Sequence, residues 1–245
     1  MRAVTRLILA IGFASLASTA LAAGSLRLYP VRIELSEGES VQMMTITNDG
    51  DETTRLQLRV FGWRHVGGED VLEETRDILA NPGLFEVKPG GTQIARFGLR
   101  TAPEATEKSY RVLLEEVPIG RPSTPGEVRT LLRISVPIFV PPAAPRVQLS
   151  WQAARAADGG IALQIRNSGN VHVQLNRLSL SRPGGTSLAS EDMSVYILPG
   201  QSAAVALKTS APVRVGEVLK LGAMTDQGER SIDLSVEAAT REARP

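Results

Sequence analysis

The sequence contains no cysteine, so neither a disulfide framework nor a thiolate metal site is available and the fold must hold by burial alone. Aromatic residues are 4% of the chain, and the only histidines are His65 and His172. They fall in different halves of the chain, which leaves little from which to build a His-rich metal centre or a compact Ser-His-Asp arrangement. His172 stands between Val171 and Val173 and reads as an outward strand residue. Glu115 and Glu116 are adjacent, hence on opposite faces of a strand, and cannot work as a carboxylate pair. The Gly67-Gly68 turn lacks the lysine and following helix of a phosphate loop, so no ATP site is expected. These absences argue against an enzyme, a metal and any cofactor. Charge of one sign is also missing, with 27 Lys and Arg against 26 Asp and Glu. That balance makes nucleic acid a poor partner.

The N-terminus carries an address. Met1-Arg2-Ala3-Val4-Thr5-Arg6 is basic, Leu7 to Ala17 is mostly apolar, and Ala20-Leu21-Ala22 offers small residues for cleavage. Residues 1–22 therefore read as a signal peptide, since the apolar run is shorter than the roughly 20 residues that span a bilayer. Cleavage after Ala22 removes Arg2 and Arg6 and leaves 25 Lys and Arg against 26 Asp and Glu. No second apolar run of membrane length follows, so the expectation is an exported chain with no integral membrane segment. The remaining length suits two domains of about 100 residues each.

Those two halves repeat one order of signals. In the first, a strand ending Thr45-Ile46-Thr47 meets Asn48-Asp49-Gly50, Arg55 to Val60 alternates, and Val87-Lys88-Pro89-Gly90 precedes Gln93 to Leu99. In the second, Ile161 to Arg166 meets Asn167-Ser168-Gly169-Asn170, Val171 to Leu175 follows, and Ile197-Leu198-Pro199-Gly200 precedes Ala203 to Leu207. Asn and Gly tolerate positive φ and Pro-Gly presets a type II turn. Short alternating strands at this spacing predict two β-sandwiches. The first strand changes its apolar parity from Leu26 and Leu28 to Val31, Ile33 and Leu35 at Pro30, as expected of a strand crossing between sheets. Arg32 lies on the opposite face beside that crossing, where a solvated arginine is the bland reading. A long strand is expected at Val128 to Val140, with Val128, Leu132, Ile134, Val136, Ile138 and Val140 on one apolar parity. It runs into Pro141-Pro142-Ala143-Ala144-Pro145, a stiff connector. Its apolar side either belongs to its own sandwich or serves another chain. Predicted bounds are 23–140 for the first domain, 141–145 for the hinge, 146–236 for the second domain and 237–245 for a disordered tail.

The leader, Asn48-Asp49-Gly50, Ala80-Asn81-Pro82, Val87-Lys88-Pro89-Gly90, Ser109 to Pro118, the Ile134 to Pro142 strand and Tyr196-Ile197-Leu198-Pro199-Gly200 together resemble the PapD-like periplasmic chaperones of the chaperone-usher pathway. Ser135 to Pro141 is more similar to the archaic, spore-coat-like branch. The resemblance implies an all-β protein of two immunoglobulin-like β-sandwich domains joined by a Pro-rich hinge in a boomerang arrangement. It implies a periplasmic chaperone that lends a strand to incomplete pilus or fimbrial subunits and delivers them to an outer-membrane usher without ATP. The donor residues it points to are Val128, Thr130, Leu132, Ile134 and Val136. The family holds the subunit's terminal carboxylate with two basic residues in the cleft between domains. Arg32 matches the first, whereas the second, normally Lys, falls at Pro137, and the Arg of the following motif falls at Pro141. Arg111, on the neighbouring strand, is the candidate replacement. A secreted structural or adhesive β-sandwich protein is the alternative, sharing the leader and fold but needing neither the Pro30 crossing nor a long strand before a Pro-rich hinge.

Overall fold

A computed structural model describes residues 26–119 and 130–238, and every described element is a β-strand. The leader, Val128 and the residues after 238 lie outside the described residues. The first ten strands are β1 (Leu26–Tyr29), β2 (Ile33–Glu34), β3 (Val41–Asn48), β4 (Thr54–Val66), β5 (Glu69–Glu74), β6 (Ile78–Asn81), β7 (Leu84–Val87), β8 (Thr92–Leu99), β9 (Lys108–Val117) and β10 (Arg133–Val140). They form a four-stranded sheet in the order β1-β3-β8-β6 and a six-stranded sheet in the order β2-β10-β9-β4-β5, with β7 also on β4. Met44, Ile46 and Phe97 of one sheet meet Leu56, Val112, Leu114, Val136, Ile138 and Val140 of the other in one core.

The chain changes sheet at Pro30. β1 pairs with β3 in one sheet, and β2 pairs in parallel with β10 in the other. Proline cannot donate a ladder bond, so the crossing falls where the ladder is already interrupted. Ile33 and Leu35 then enter the core, but Val31 does not: it is 69% exposed. At the bend itself the alternation that orients a straight strand is broken.

The second sandwich is built from β11 (Leu149–Arg155), β12 (Ile161–Asn167), β13 (Val173–Ser181), β14 (Ser187–Ile197), β15 (Ser202–Leu207), β16 (Val218–Thr225) and β17 (Gly228–Glu237). Their path runs β14-β13-β16-β17-β11-β12-β15. Only two parallel register pairs, Ala153 with Val236 and Ala154 with Glu237, join its halves. The path folds over there, so Ile161, Leu163 and Ile165 share a core with Leu175, Leu178, Leu180 and Leu221.

The repeated Asn and Pro-Gly signals prove to be one device used twice. No residue other than glycine has positive φ among the described residues, so the asparagines do not act through turn conformation. Asn48 is fully buried and its Nδ2 donates to the carbonyls of Glu52 and Val87 at 2.7 and 2.9 Å, while Oδ1 accepts from Gly50 N–H. Asn167 does the same with Val171, Ile197 and Gly169. Each clasp thus reaches the backbone just before a Pro-Gly turn, closed by Gly91 N–H on Lys88 O and Gln201 N–H on Leu198 O. Gly90 and Gly200 take φ of 67° and 74° there, as position i+2 of a type II turn requires. A buried amide satisfying two carbonyls replaces polar pairing that water would otherwise supply.

Candidate functional site

Strand β10 has one side occupied and one side largely open. All eight of its residues register with β9, from Arg133 opposite Glu115 to Val140 opposite Lys108. On the other side β2 covers only Ile138 and Phe139. Leu132 C=O accepts from Glu116 N–H at 2.8 Å, whereas Phe139 C=O accepts from Leu35 N–H at 2.9 Å. By strand alternation the even-numbered residues bond to β9 and the odd-numbered ones face the edge. Arg133 and Ser135 therefore present N–H and C=O to an edge that no described strand covers, whereas at Pro137, which has no N–H, the pairing with β2 begins. Such an edge is a template for another strand.

Within the described part of the expected strand, from Thr130 onward, regular pairing begins at Arg133 and is extended by the bond at Leu132. Thr130, Leu131 and Leu132 are exposed, the last two at 46% and 36%, because no described strand of this sandwich reaches over them. Ile134 is partly buried against the core, and Val136 is 3% exposed within it. Val136 is thus committed to its own sandwich, and the described residues of the expected donor set that keep exposed surface are Thr130, Leu132 and, in part, Ile134.

The other face of β10 meets the second sandwich. Trp63, Phe139 and Leu198 form a small apolar cluster joined by Leu72 and Tyr196. Arg111 lies over it, with its guanidinium carbon 3.6 Å from the Trp63 ring centroid and 5.5 Å from that of Tyr196. Its side chain is 14% exposed and Nη2 is 3.9 Å from Asp70 Oδ2. Its Nε is buried without a hydrogen-bond partner. Burial pulls its pKa down, against Asp70 and Tyr196, which favour the charge. The result is a cation on an aromatic floor with donor capacity left over.

A polar network ties the same two sandwiches together. His172 Nδ1 is 2.8 and 2.9 Å from the two oxygens of Glu107, and Nε2 stands 3.3 Å from Asp226 Oδ2 without the alignment of a hydrogen bond. The ring stacks on Phe139 at 3.5 Å. Asp226 also accepts from Arg32 Nη1 at 2.8 Å and from Gln174 N–H at 2.9 Å. Burial opposes charge on His172, but the carboxylates of Asp226 and Glu107 beside the ring prevail and raise its pKa. The outward reading of His172 is therefore overturned: it is 4% exposed, because the face that would meet water meets the first sandwich. Arg32 is likewise no free surface arginine; it is 35% exposed and held by Asp226. Asn170 adds a bond across the junction to the carbonyl of Ala105 and another to that of Ala144 in the connector. Despite the nearness of Glu107, His172 and Asp226, no group among the described residues is arranged to hold a metal ion.

The family described as pili and flagellar-assembly chaperone, PapD N-terminal domain, matches residues 25–146. This chain belongs to the PapD-like pilus-assembly chaperones. Solved structures agree on the fold. A chain of the CsuC-CsuE chaperone-tip adhesion subunit pre-assembly complex, from the archaic chaperone-usher Csu pili of Acinetobacter baumannii, has a TM-score of 0.63 and 20% identity over 86% of this chain and 99% of its own. A chain of the Salmonella enterica SafA pilin-SafB chaperone complex gives 0.58 and 16% over 88% and 98%. The Pseudomonas aeruginosa CupB2 chaperone gives 0.54 and 16% over 84% and 98%. No curated protein matches the sequence.

For this PapD-like chaperone the register of the six-stranded sheet places two residues of the sequence expectation side by side. Pro137, where the resemblance would put a lysine, lies directly opposite Arg111 on β9. Cross-strand partners project from the same face, so Arg111 places a positive charge beside the position where the family's lysine would emerge.

Proposed function

We propose that this chain is a periplasmic chaperone that binds pilus or fimbrial subunits by strand addition along β10 and delivers them to an outer-membrane usher. The observation that carries this reading is the open edge of β10 with a buried, incompletely paired arginine beside it. A subunit lacking a strand exposes an apolar groove and an open edge of its own. The Arg133-Ser135 edge supplies ladder bonds, the kind of strand addition by which chaperone-pilin pairs form. Leu132 fills the groove; with 36% of its surface left to cover, that burial is worth roughly 0.5 to 1 kcal/mol. Pro137 has no N–H and sits where β2 takes over, so pairing extends from there toward the N-terminus of the strand. The similarity of Ser135 to Pro141 to the archaic branch supports placing the chain there.

Arg111 is the principal anchor for the subunit's terminal carboxylate. Arg32 is already held by Asp226 and stands second, whereas Arg111 retains unpaired donor capacity. Replacing Arg111 by Ala should leave a folded chaperone that binds an intact subunit about 2 to 5 kcal/mol more weakly. Titration with the intact subunit and with one whose terminal carboxylate is a carboxamide measures it. Equal losses for both forms would show that Arg111 supports the cleft without receiving the carboxylate.

A further inference from the structure

Asp70 is the one acidic group turned toward Arg111 among the described ion pairs. It lies on β5, directly across from His65 on β4. Its Oδ1 accepts the Trp63 indole N–H at 2.8 Å and stands 2.5 Å from His65 Nε2, so this oxygen orients the carboxyl. Oδ2 is left facing Arg111 Nη2 at 3.9 Å, beyond hydrogen-bond length. The same Trp63 whose N–H holds Asp70 carries the Arg111 guanidinium on its ring face. Asp70 thus fixes the floor under the guanidinium and also sets a negative charge at its side.

We infer that Asp70 is a positioning residue that sets how tightly Arg111 holds the terminal carboxylate of a subunit and keeps that contact releasable. This rests on the anchor role proposed for Arg111. A carboxylate arriving at the guanidinium is attracted by a nearly buried cation and repelled by Oδ2. The repulsion is moderate, because the Asp70 side chain is 51% exposed and water screens it. Transfer without ATP must run downhill from the chaperone-bound state, so a built-in opposing charge that limits the depth of that state suits a client that must be surrendered.

The test uses the full chaperone and a subunit encoded beside it, prepared with a free C-terminal carboxylate and as the carboxamide. Asp70→Asn keeps an oxygen for the Trp63 indole and removes the charge; Asp70→Ala removes both. Asp70→Asn should bind the carboxylate form about threefold to fivefold more tightly and leave the carboxamide form unchanged. Asp70→Ala should bind the carboxylate form less tightly than Asp70→Asn, because the aromatic floor loses its tether. Unchanged affinities for Asp70→Asn, or equal shifts for both subunit forms, overturn the inference while Arg111→Ala still abolishes the preference for carboxylate. If Arg111→Ala leaves that preference intact, the anchor itself is wrong and Asp70 falls with it.

Discussion

A chaperone carrying Leu132→Glu should fold as the unaltered chain does and fail to retain a subunit. Leu132 is 36% exposed and lies just before β10, so a glutamate there stays in water in the free protein. In a complex formed along the β10 edge the same carboxylate enters an apolar groove unpaired, at a cost of several kcal/mol. Binding and folding therefore separate at this position. They do not separate at Ile134, which packs on the core of its own sandwich, so Ile134→Glu should damage the fold as well. Periplasmic co-purification with a subunit, alongside thermal unfolding of the free variant, measures both. A folded Leu132→Glu protein that still co-purifies at the normal ratio contradicts the edge assignment.

The second large effect is expected at His172, away from the edge. Glu107 and Asp226 have side chains only 3% and 7% exposed, and His172 stands between them. Removing one partner of a buried charge network typically costs about 3 to 5 kcal/mol because the remaining charges stay buried. His172→Ala should lose about that much, although Arg32 keeps part of the balance on the Asp226 side. The pH dependence follows from the shifts. The His172 pKa is raised in the fold, so its contribution is complete below the ordinary histidine value and is lost as pH rises through the raised one. Asp226 is buried, yet His172, Gln174 N–H and Arg32 hold its pKa down. Its contribution is present above the ordinary aspartate value and is lost as pH falls through the lowered one. The junction should thus be most stable in mildly acidic solution. Thermal unfolding at about pH 6 and about pH 9 should show a higher midpoint at the lower pH, and His172→Phe, which keeps the stack on Phe139, should flatten that difference. A slope that persists in His172→Phe would assign the dependence to other groups.

The sequence patterns succeed where a strand has one dry face and one wet face. Ile161, Leu163 and Ile165 alternate cleanly and are all in the core, and the parity change at Pro30 marks the sheet crossing. They fail where the second face is also covered. Val171, His172 and Val173 are all buried, and alternation alone assigns the middle one to solvent. The partners of His172 lie 65 residues before it and on a distant turn, which no local pattern reveals. One signal was available. Val136 to Val140 contains no polar side chain, and such an unbroken run marks a strand buried on both faces. Val136, Ile138 and Val140 indeed serve the first core, whereas Phe139 meets the second sandwich. The same run leaves fewer exposed apolar side chains on β10 than its apolar parity suggests, because Val136, Ile138 and Val140 are already used in their own core. Arg111 was legible as a basic residue on the neighbouring strand, but its ring contacts and its register with Pro137 come from folding alone.

Strand addition makes a residue-by-residue claim that amide hydrogen exchange followed by NMR tests directly. In the free chaperone the amides of Ile134 and Val136 face β9, and those of Arg133 and Ser135 face the edge that no described strand covers. On binding a subunit, Arg133 and Ser135 should gain strong protection, Ile134 and Val136 should change little, and Pro137, with no amide, should mark where the new ladder stops. A saturated complex in which Arg133 and Ser135 exchange as fast as in the free protein would contradict it.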